Sequence, residues 1–230
     1  MKFLEFDNTR DFPYYNNNPR ISKSGWIVLL FLVPISLIVY FFFGNFSEIL
    51  GSILFCLTLL IPLLYYSKWD YSLIFHKPTK NEIILAIIMF ASYMVYAIVV
   101  GGILDMLNLS GAGIAESIDI TWEMILGLIF SMMAEELVKF IPLMFFMRLF
   151  YKFTSMKKLS IVLSTTIVLI GFGLIHYDPS TTTIISVLIL QGLGSIFEVY
   201  GYLKTKNLFV PYISHLLTDA LIFILVMFGF

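Results

Sequence analysis

The chain has 230 residues, of which 60% are hydrophobic and 13% charged, and its formal net charge is -1. Water-soluble domains are about 45 to 50% apolar and about 25% charged, so this composition excludes a single water-soluble core. The charge balance offers no basic surface for nucleic acid, and the lone Cys56 excludes a disulfide framework or a cysteine metal cluster. The composition predicts an all-α polytopic membrane protein.

Apolar runs separated by short charged segments predict seven transmembrane helices, because a helix needs about 20 apolar residues to cross a bilayer. In chain order they are expected at residues 26–46, 49–66, 83–104, 121–148, 159–177, 182–203 and 208–228. The polar residues 1–25 form an N-terminal arm before the first helix. The other connections are short, so no separate soluble domain is expected.

Basic residues alternate from one connection to the next. Thirteen of the fourteen lysines and arginines lie in the N-terminal arm or in every second connection, and the exception is Lys139 inside the fourth predicted helix. The positive-inside rule assigns the basic side to the cytoplasm. We therefore expect a multi-pass protein with a cytoplasmic N-terminus, and the excess of lysine over arginine favours a bacterial plasma membrane.

Charged residues and histidines deep within the predicted helices occur only in the last four. In chain order they are Glu135, Glu136 and Lys139 in the fourth helix, His176 in the fifth, Glu198 in the sixth, and His215 and Asp219 in the seventh. A charge in the hydrocarbon core costs at least about 2.5 to 3.5 kcal/mol, so each of these groups is expected to face a cavity or a partner. The i, i+4 spacing of His215 and Asp219 places both on one helix face.

The predicted depths of these groups can be compared by counting about 1.5 Å per residue from the cytoplasmic helix ends. Glu135, His215 and Asp219 come out at about 12 to 20 Å, whereas His176 comes out at about 25 Å. His176 is therefore an outlier that needs tilt or a shifted helix end to join the others. Carboxylates and histidines gathered in this way can activate water, since one group takes a proton while others bind the water and stabilise an oxyanion.

Three motifs in the same order resemble those of the CAAX protease and bacteriocin-processing family of intramembrane proteases. They are the adjacent Glu135 and Glu136, Phe172-x-x-x-His176, and His215-x-x-x-Asp219. The resemblance implies that Glu135 of the glutamate pair is the general base, that His176 helps to hold the water, and that His215 and Asp219 stabilise the oxyanion. It also implies a peptide or membrane-anchored protein as substrate, either a prenylated C-terminal motif or a leader or signalling peptide.

The sequence departs from the family pattern at two positions. The family usually has Arg five residues after the first Glu, where this chain has Phe140, and it usually ends the last motif in Asn, where this chain has Asp219. Both departures are similar to a distant group of glutamate-dependent membrane proteases that cleave anti-sigma factors. That group lacks Phe-x-x-x-His, so the first family is the preferred interpretation.

No cofactor is expected, because no His-Glu-x-x-His spacing fixes two metal ligands on one helix. A zinc ion held by Glu135, His176 and His215 is the alternative. A structural interpretation also exists for each group. Lys139 neutralises one of the glutamates, His176 is an interfacial anchor at a helix end, and His215 and Glu198 each bond to a neighbouring helix.

By the resemblance, residues 121–228 form a four-helix catalytic core and residues 26–104 supply three accessory helices. Two other functions compete with the protease. A proton-coupled transporter is expected to have two related halves, whereas the polar groups here lie in one half. A noncatalytic immunity or scaffold protein of the same fold is the other, and the missing Arg supports it.

Overall fold

The computed structural model describes residues 21–111 and 120–228, and these ranges contain helices and no β-strand. The predicted all-α fold is therefore confirmed. Most of the predicted N-terminal arm falls on residues 1–20, which lie outside the described ranges.

Seven long helices follow one another along the chain, as predicted. They are α1 (Lys23–Gly44), α2 (Glu48–Tyr66), α3 (Lys80–Met106), α4 (Trp122–Thr154), α5 (Lys157–Ile175), α6 (Ile184–Thr205) and α7 (Phe209–Met227). Six of them are long and apolar enough to cross a membrane by length and composition. The other is α4, whose 33 residues include the charged groups that the sequence places in the fourth span.

Hydroxyl side chains fix the first turns of several helices. The side chains of Ser47, Thr79 and Thr121 each accept a hydrogen bond from a backbone N–H in the first turn that follows. At Thr79 the carboxylate of Glu82 returns a bond to the backbone N–H of Thr79 and completes a capping box. These caps explain why the helices start where polar sequence gives way to apolar sequence.

Helix α4 is the centre of the fold and packs against α1, α2, α5 and α7. It continues to Thr154, so the predicted end at residue 148 is wrong. The extra turns carry Lys152, whose positive charge suits the negative end of a helix dipole. The helix stops at Ser155, which adopts a left-handed conformation with φ 53°.

The longer α4 removes the predicted mismatch in depth between Glu135 and His176. Only residues 155–156 connect α4 to α5. Glu135 lies 19 residues before Thr154, and His176 lies 19 residues after Lys157. At 1.5 Å per residue both lie about 28 Å from this connection, at the same level of the bundle.

Helix α6 is irregular in its first half. Residues Leu188–Gly192 form a wide π-helical turn, and a short 3₁₀ turn follows. The hydroxyl of Tyr96 on α3 donates to the carbonyl of Ile189 at 2.8 Å, and the hydroxyl of Ser195 donates to the carbonyl of Gln191 at 2.7 Å. Side chains therefore satisfy carbonyls that a regular helix would bond internally.

Two glycines let α5 and α6 touch through their backbones at this turn. A Cβ added to Gly192 would lie 2.7 Å from the carbonyl oxygen of Leu169, and one added to Gly173 would lie 2.8 Å from that of Val187. Both distances are too short for any side chain. The contact places the wide turn of α6 beside the end of α5 that carries His176.

Candidate active site

A cavity of about 420 Å³ lies among the helices and collects most of the predicted site residues. Its ionisable and amide-bearing wall groups, tyrosines aside, are Glu48, Glu135, His176, Gln191, Glu198, His215 and Asp219. Four of the five predicted catalytic residues are in this set. The fifth, Glu136, is not one of the described residues that line the cavity, because its side chain is buried behind the wall.

Glu135 faces both histidines across the cavity. Its Oε2 atom lies 3.8 Å from Nε2 of His176 and 3.7 Å from Nε2 of His215. These separations exceed a direct hydrogen bond, but one water molecule can bond to both atoms of such a pair. The carboxylate side chain is 19% exposed and lines the cavity.

His176 follows the last residue of α5 and is oriented by its own motif. Its Nδ1 atom lies 2.8 Å from the carbonyl oxygen of Phe172, one turn earlier. A carbonyl only accepts, so Nδ1 donates and Nε2 is directed at Glu135. The Phe172 ring lies 4.7 Å from the His176 ring and 4.5 Å from Nζ of Lys139, so Phe172 separates the histidine from the lysine.

His215 on α7 is held in the same manner by a carboxylate. Its Nδ1 atom donates to Oε1 of Glu136 at 2.8 Å. Its Nε2 atom then faces Glu135, and it lies 3.7 Å from Oδ2 of Asp219. The adjacent glutamates of the first motif therefore have different positions, since one faces the cavity and the other holds a histidine from behind.

Lys139 joins Glu136 to a carboxylate from another helix. Its Nζ atom lies 2.6 Å from Oε1 of Glu136 and also bonds to Glu198 on α6. All three side chains are at most 5% exposed. Buried charges require partners of opposite charge, and here one ammonium group serves two carboxylates. The sequence suggested the first contact but not the second.

The closest group of possible metal ligands fits a divalent metal poorly. Among residues 21–111 and 120–228, the group whose ligand atoms all lie within 4.8 Å of one another is Glu136, Glu198 and His215. Lys139 already bonds to both of these carboxylates. A metal ion there would place a second positive charge beside the ammonium group.

The loop after His176 is closed by a short polar turn outside the helices. Asp178 accepts hydrogen bonds from the hydroxyl of Ser180 at 2.6 Å and from its backbone N–H at 2.9 Å. These bonds hold the pKa of Asp178 below its ordinary value. The turn fixes the chain directly after the histidine.

The three helices predicted as accessory also line the cavity. Tyr40 comes from α1, Glu48 and Ser52 from α2, and Tyr93 from α3. Their contribution was missed because no charged residue lies near the centres of these spans. Gln191, presented by the wide turn of α6, also lines the cavity and was not among the predicted site residues.

Residues 117–221 match the family described as Type II CAAX prenyl endopeptidase Rce1-like. No curated protein and no solved structure gives a match. The matched range contains all five predicted catalytic residues and Lys139 and Glu198.

This is a family of proteases, which act on peptide or protein substrates in a membrane, and the apolar helices agree with a multi-pass membrane protein. The predicted resemblance to the CAAX protease and bacteriocin-processing family is therefore confirmed, over the helices that carry its three motifs.

Proposed function

We propose that the protein is an intramembrane endopeptidase that hydrolyses a peptide bond with a water molecule activated by Glu135. One observation carries the proposal: a cavity-facing carboxylate lies within 4 Å of the Nε2 atoms of two histidines whose Nδ1 atoms are already bonded. Groups held in this way can act on a water molecule without rearrangement.

The first step assigns Glu135 and His176 to the water. A water molecule between Oε2 of Glu135 and Nε2 of His176 donates a proton to the carboxylate as its oxygen attacks the substrate carbonyl carbon. The carbonyl oxygen becomes an oxyanion. Glu135 then gives the proton to the leaving nitrogen, and the C–N bond breaks. His176 accepts the other water hydrogen bond and orients the attack.

His215 and Asp219 are assigned to the oxyanion. A protonated His215 presents Nε2–H to the cavity while Nδ1–H stays on Glu136, whose negative charge supports the imidazolium. Asp219 cannot help as an ionised group beside an oxyanion, because like charges repel. It acts either as a neutral carboxyl donor or as the partner that keeps His215 protonated.

The mechanism is proposed to be metal-free. Lys139 supplies the positive charge for Glu136 and Glu198, the two carboxylates of the closest donor group. The alternative zinc set of Glu135, His176 and His215 would need all its ligand atoms about 2 Å from a common centre, and in the described ranges these residues are not a group whose ligand atoms all lie within 4.8 Å of one another.

The test is direct hydrolysis. Purified protein in lipid is incubated with a library of single-span and membrane-proximal peptides, including farnesylated peptides that end in Cys-a-a-X, and new termini are identified by mass spectrometry. We expect new termini with the wild-type protein and none with Glu135→Gln. A transporter or a scaffold protein would make no new termini, and this result would reject the proposal.

A further inference from the structure

The helix bundle has one basic end and one acidic end. The lysines and arginines of the described helix ends and connections all lie at one end: Lys23, Lys68, Lys77, Lys80, Arg148, Lys152, Lys157, Lys158, Lys204 and Lys206. The acids Asp70 and Glu82 share that end. Within the described ranges the opposite end has acids and no lysine or arginine, namely Glu48, Asp105, Glu123 and Asp178.

The cavity extends to the acidic end of the bundle. Glu48 is the first residue of α2, Met124 is the third of α4, and His176 directly follows α5; all three line the cavity. Tyr40, also in the wall, lies four residues from the acidic end of α1. The shallow part of the wall is therefore made by helix ends that carry no basic residue.

The more exposed members of the site lie nearer the acidic end than Lys139 does. The His176 side chain is 32% exposed and that of Asp219 27%, whereas Lys139 is 3% exposed. Beyond Lys139 toward the basic end, α4 carries a run of buried residues, each at most 1% exposed: Phe140, Ile141, Met144 and Met147. The cavity wall therefore reaches the acidic end of the bundle, whereas buried residues of α4 lie between the cavity and the basic end.

A separate cavity at the basic end does not change this conclusion. It measures about 570 Å³ and is lined by residues of α1 and α4 and by Ser155, including Lys23, Arg148 and Lys152. Among its described wall residues there is no member of the candidate active site. The buried residues of α4 lie between the two cavities.

We propose that the active site opens to the extracytoplasmic face, so that the substrate is a peptide or anchored protein whose scissile bond lies in the outer half of the bilayer. The positive-inside rule assigns the basic end to the cytoplasm, which leaves the acidic end, where the cavity wall extends, outside. A C-terminal motif displayed in the cytoplasm would meet the basic end, which buried residues of α4 separate from the cavity. The direction of opening is independent of catalysis, whereas the substrate class rests on the proposed hydrolysis.

The direction of opening is tested with thiols in intact cells. In a Cys56→Ser background, cysteines replace Ser131, which lines the cavity one turn from Glu135, or Asp219. Ser180→Cys is the outer control and Ser155→Cys the inner control. We expect a small charged methanethiosulfonate to modify cysteines at 131, 219 and 180 from outside, and the one at 155 only after permeabilisation.

The outcomes of the thiol test distinguish an outward opening from a cytoplasmic one. If cysteines at 131 and 219 react from inside-out vesicles but not from intact cells, the cavity opens to the cytoplasm and the inference is wrong. If neither reacts from outside while the outer control does, the outward opening is also rejected. The variant at 131 is conservative, so it keeps the test valid if the one at 219 folds poorly.

The substrate class is tested with two matched libraries of single-span peptides. In one the variable segment adjoins the outer surface, and in the other the same segments adjoin the inner surface. We expect new termini in the outer library only. Cleavage in the inner library only would overturn this inference and leave the protease intact. Cleavage in neither would reject the proposed function and the substrate class, while the thiol result would still decide the direction of opening.

Discussion

The two halves of the site on either side of His215 have different geometry. On the cavity side, the contacts of Glu135 with the histidines span 3.7 to 3.8 Å, and the side chains are partly exposed. On the buried side, Glu136 lies 2.6 Å from Lys139 and 2.8 Å from His215, with 3% of its side chain exposed. Longer contacts between partly exposed groups leave room for a reactant, whereas short contacts between buried groups fix positions.

This difference separates two adjacent residues of the same type. Successive residues on a helix point about 100° apart, so a Glu-Glu pair places one carboxylate in the cavity and the other in the protein interior. We infer that Glu135 reacts and that Glu136 positions His215. The following changes test this division, from the largest expected effect to the smallest.

The largest effect is expected from Glu135→Gln. The amide keeps the shape of the side chain but cannot take a proton, so the cleavage rate should fall by about 10²- to 10⁴-fold or more. Initial rates are compared at equal protein concentration, and the melting temperature in detergent should be unchanged. A variant that cleaves at the wild-type rate would remove Glu135 as the base.

Lys139→Met should act on stability. It leaves the carboxylates of Glu136 and Glu198 buried without a cation, which costs about 3 to 5 kcal/mol when one partner of a buried pair is removed. Thermal unfolding in detergent measures the loss. Adding Glu198→Gln should restore part of it, because one of the unpaired charges is then gone.

Lys152→Met in the last turn of α4 is the matched control for Lys139. That lysine is exposed, so its replacement should change stability by no more than about 0.5 kcal/mol. If both methionine variants melt at the same temperature, the buried network does not hold the fold.

Two substitutions of Asp219 distinguish its two possible roles. Asp219→Leu removes a group beside the oxyanion and should lower the rate by about 10²- to 10³-fold. If Asp219 acts as a neutral donor, Asp219→Asn retains cleavage and extends it to higher pH, since an amide does not ionise. If instead it keeps His215 protonated, Asn fails nearly as badly as Leu. Full activity in both variants would remove Asp219 from the site.

The smallest effect is expected from metal removal. Because Lys139 already bonds to the carboxylates of Glu136 and Glu198, dialysis against a chelator should leave the cleavage rate unchanged. Metal content is measured alongside the rate. Activity that is lost to the chelator and restored by one equivalent of zinc would favour the metalloprotease.

The features that could be predicted are those that depend on nearby sequence. Apolar runs predicted all seven helices because hydrophobic length determines a span. The end of α4 was misplaced because a helix can continue past its apolar part, as it does from residue 149 to Thr154. The depth assigned to Glu135 inherited that error, and His176 was an outlier for this reason.

The features that could not be predicted depend on distant sequence. Lys139 and Glu198 are 59 residues apart and meet only when α4 and α6 pack together. The wide turn that presents Gln191 depends on a tyrosine from α3 and on a close backbone contact with α5. A single sequence contains the residues of such contacts but no signal of which ones meet.

The charge content of α4 has a consequence for biogenesis. Six helices qualify as spans by their own composition, but α4 carries Glu135, Glu136 and Lys139 near its centre. Each charge resists partition from the translocon into lipid by about 2.5 to 3.5 kcal/mol. The i, i+3 pairing of Glu136 and Lys139 is available at once, but Glu198 is synthesised about 60 residues later. A nascent chain that ends before α6 should therefore retain α4 at the translocon, and the arrival of α6 should release it into the bilayer.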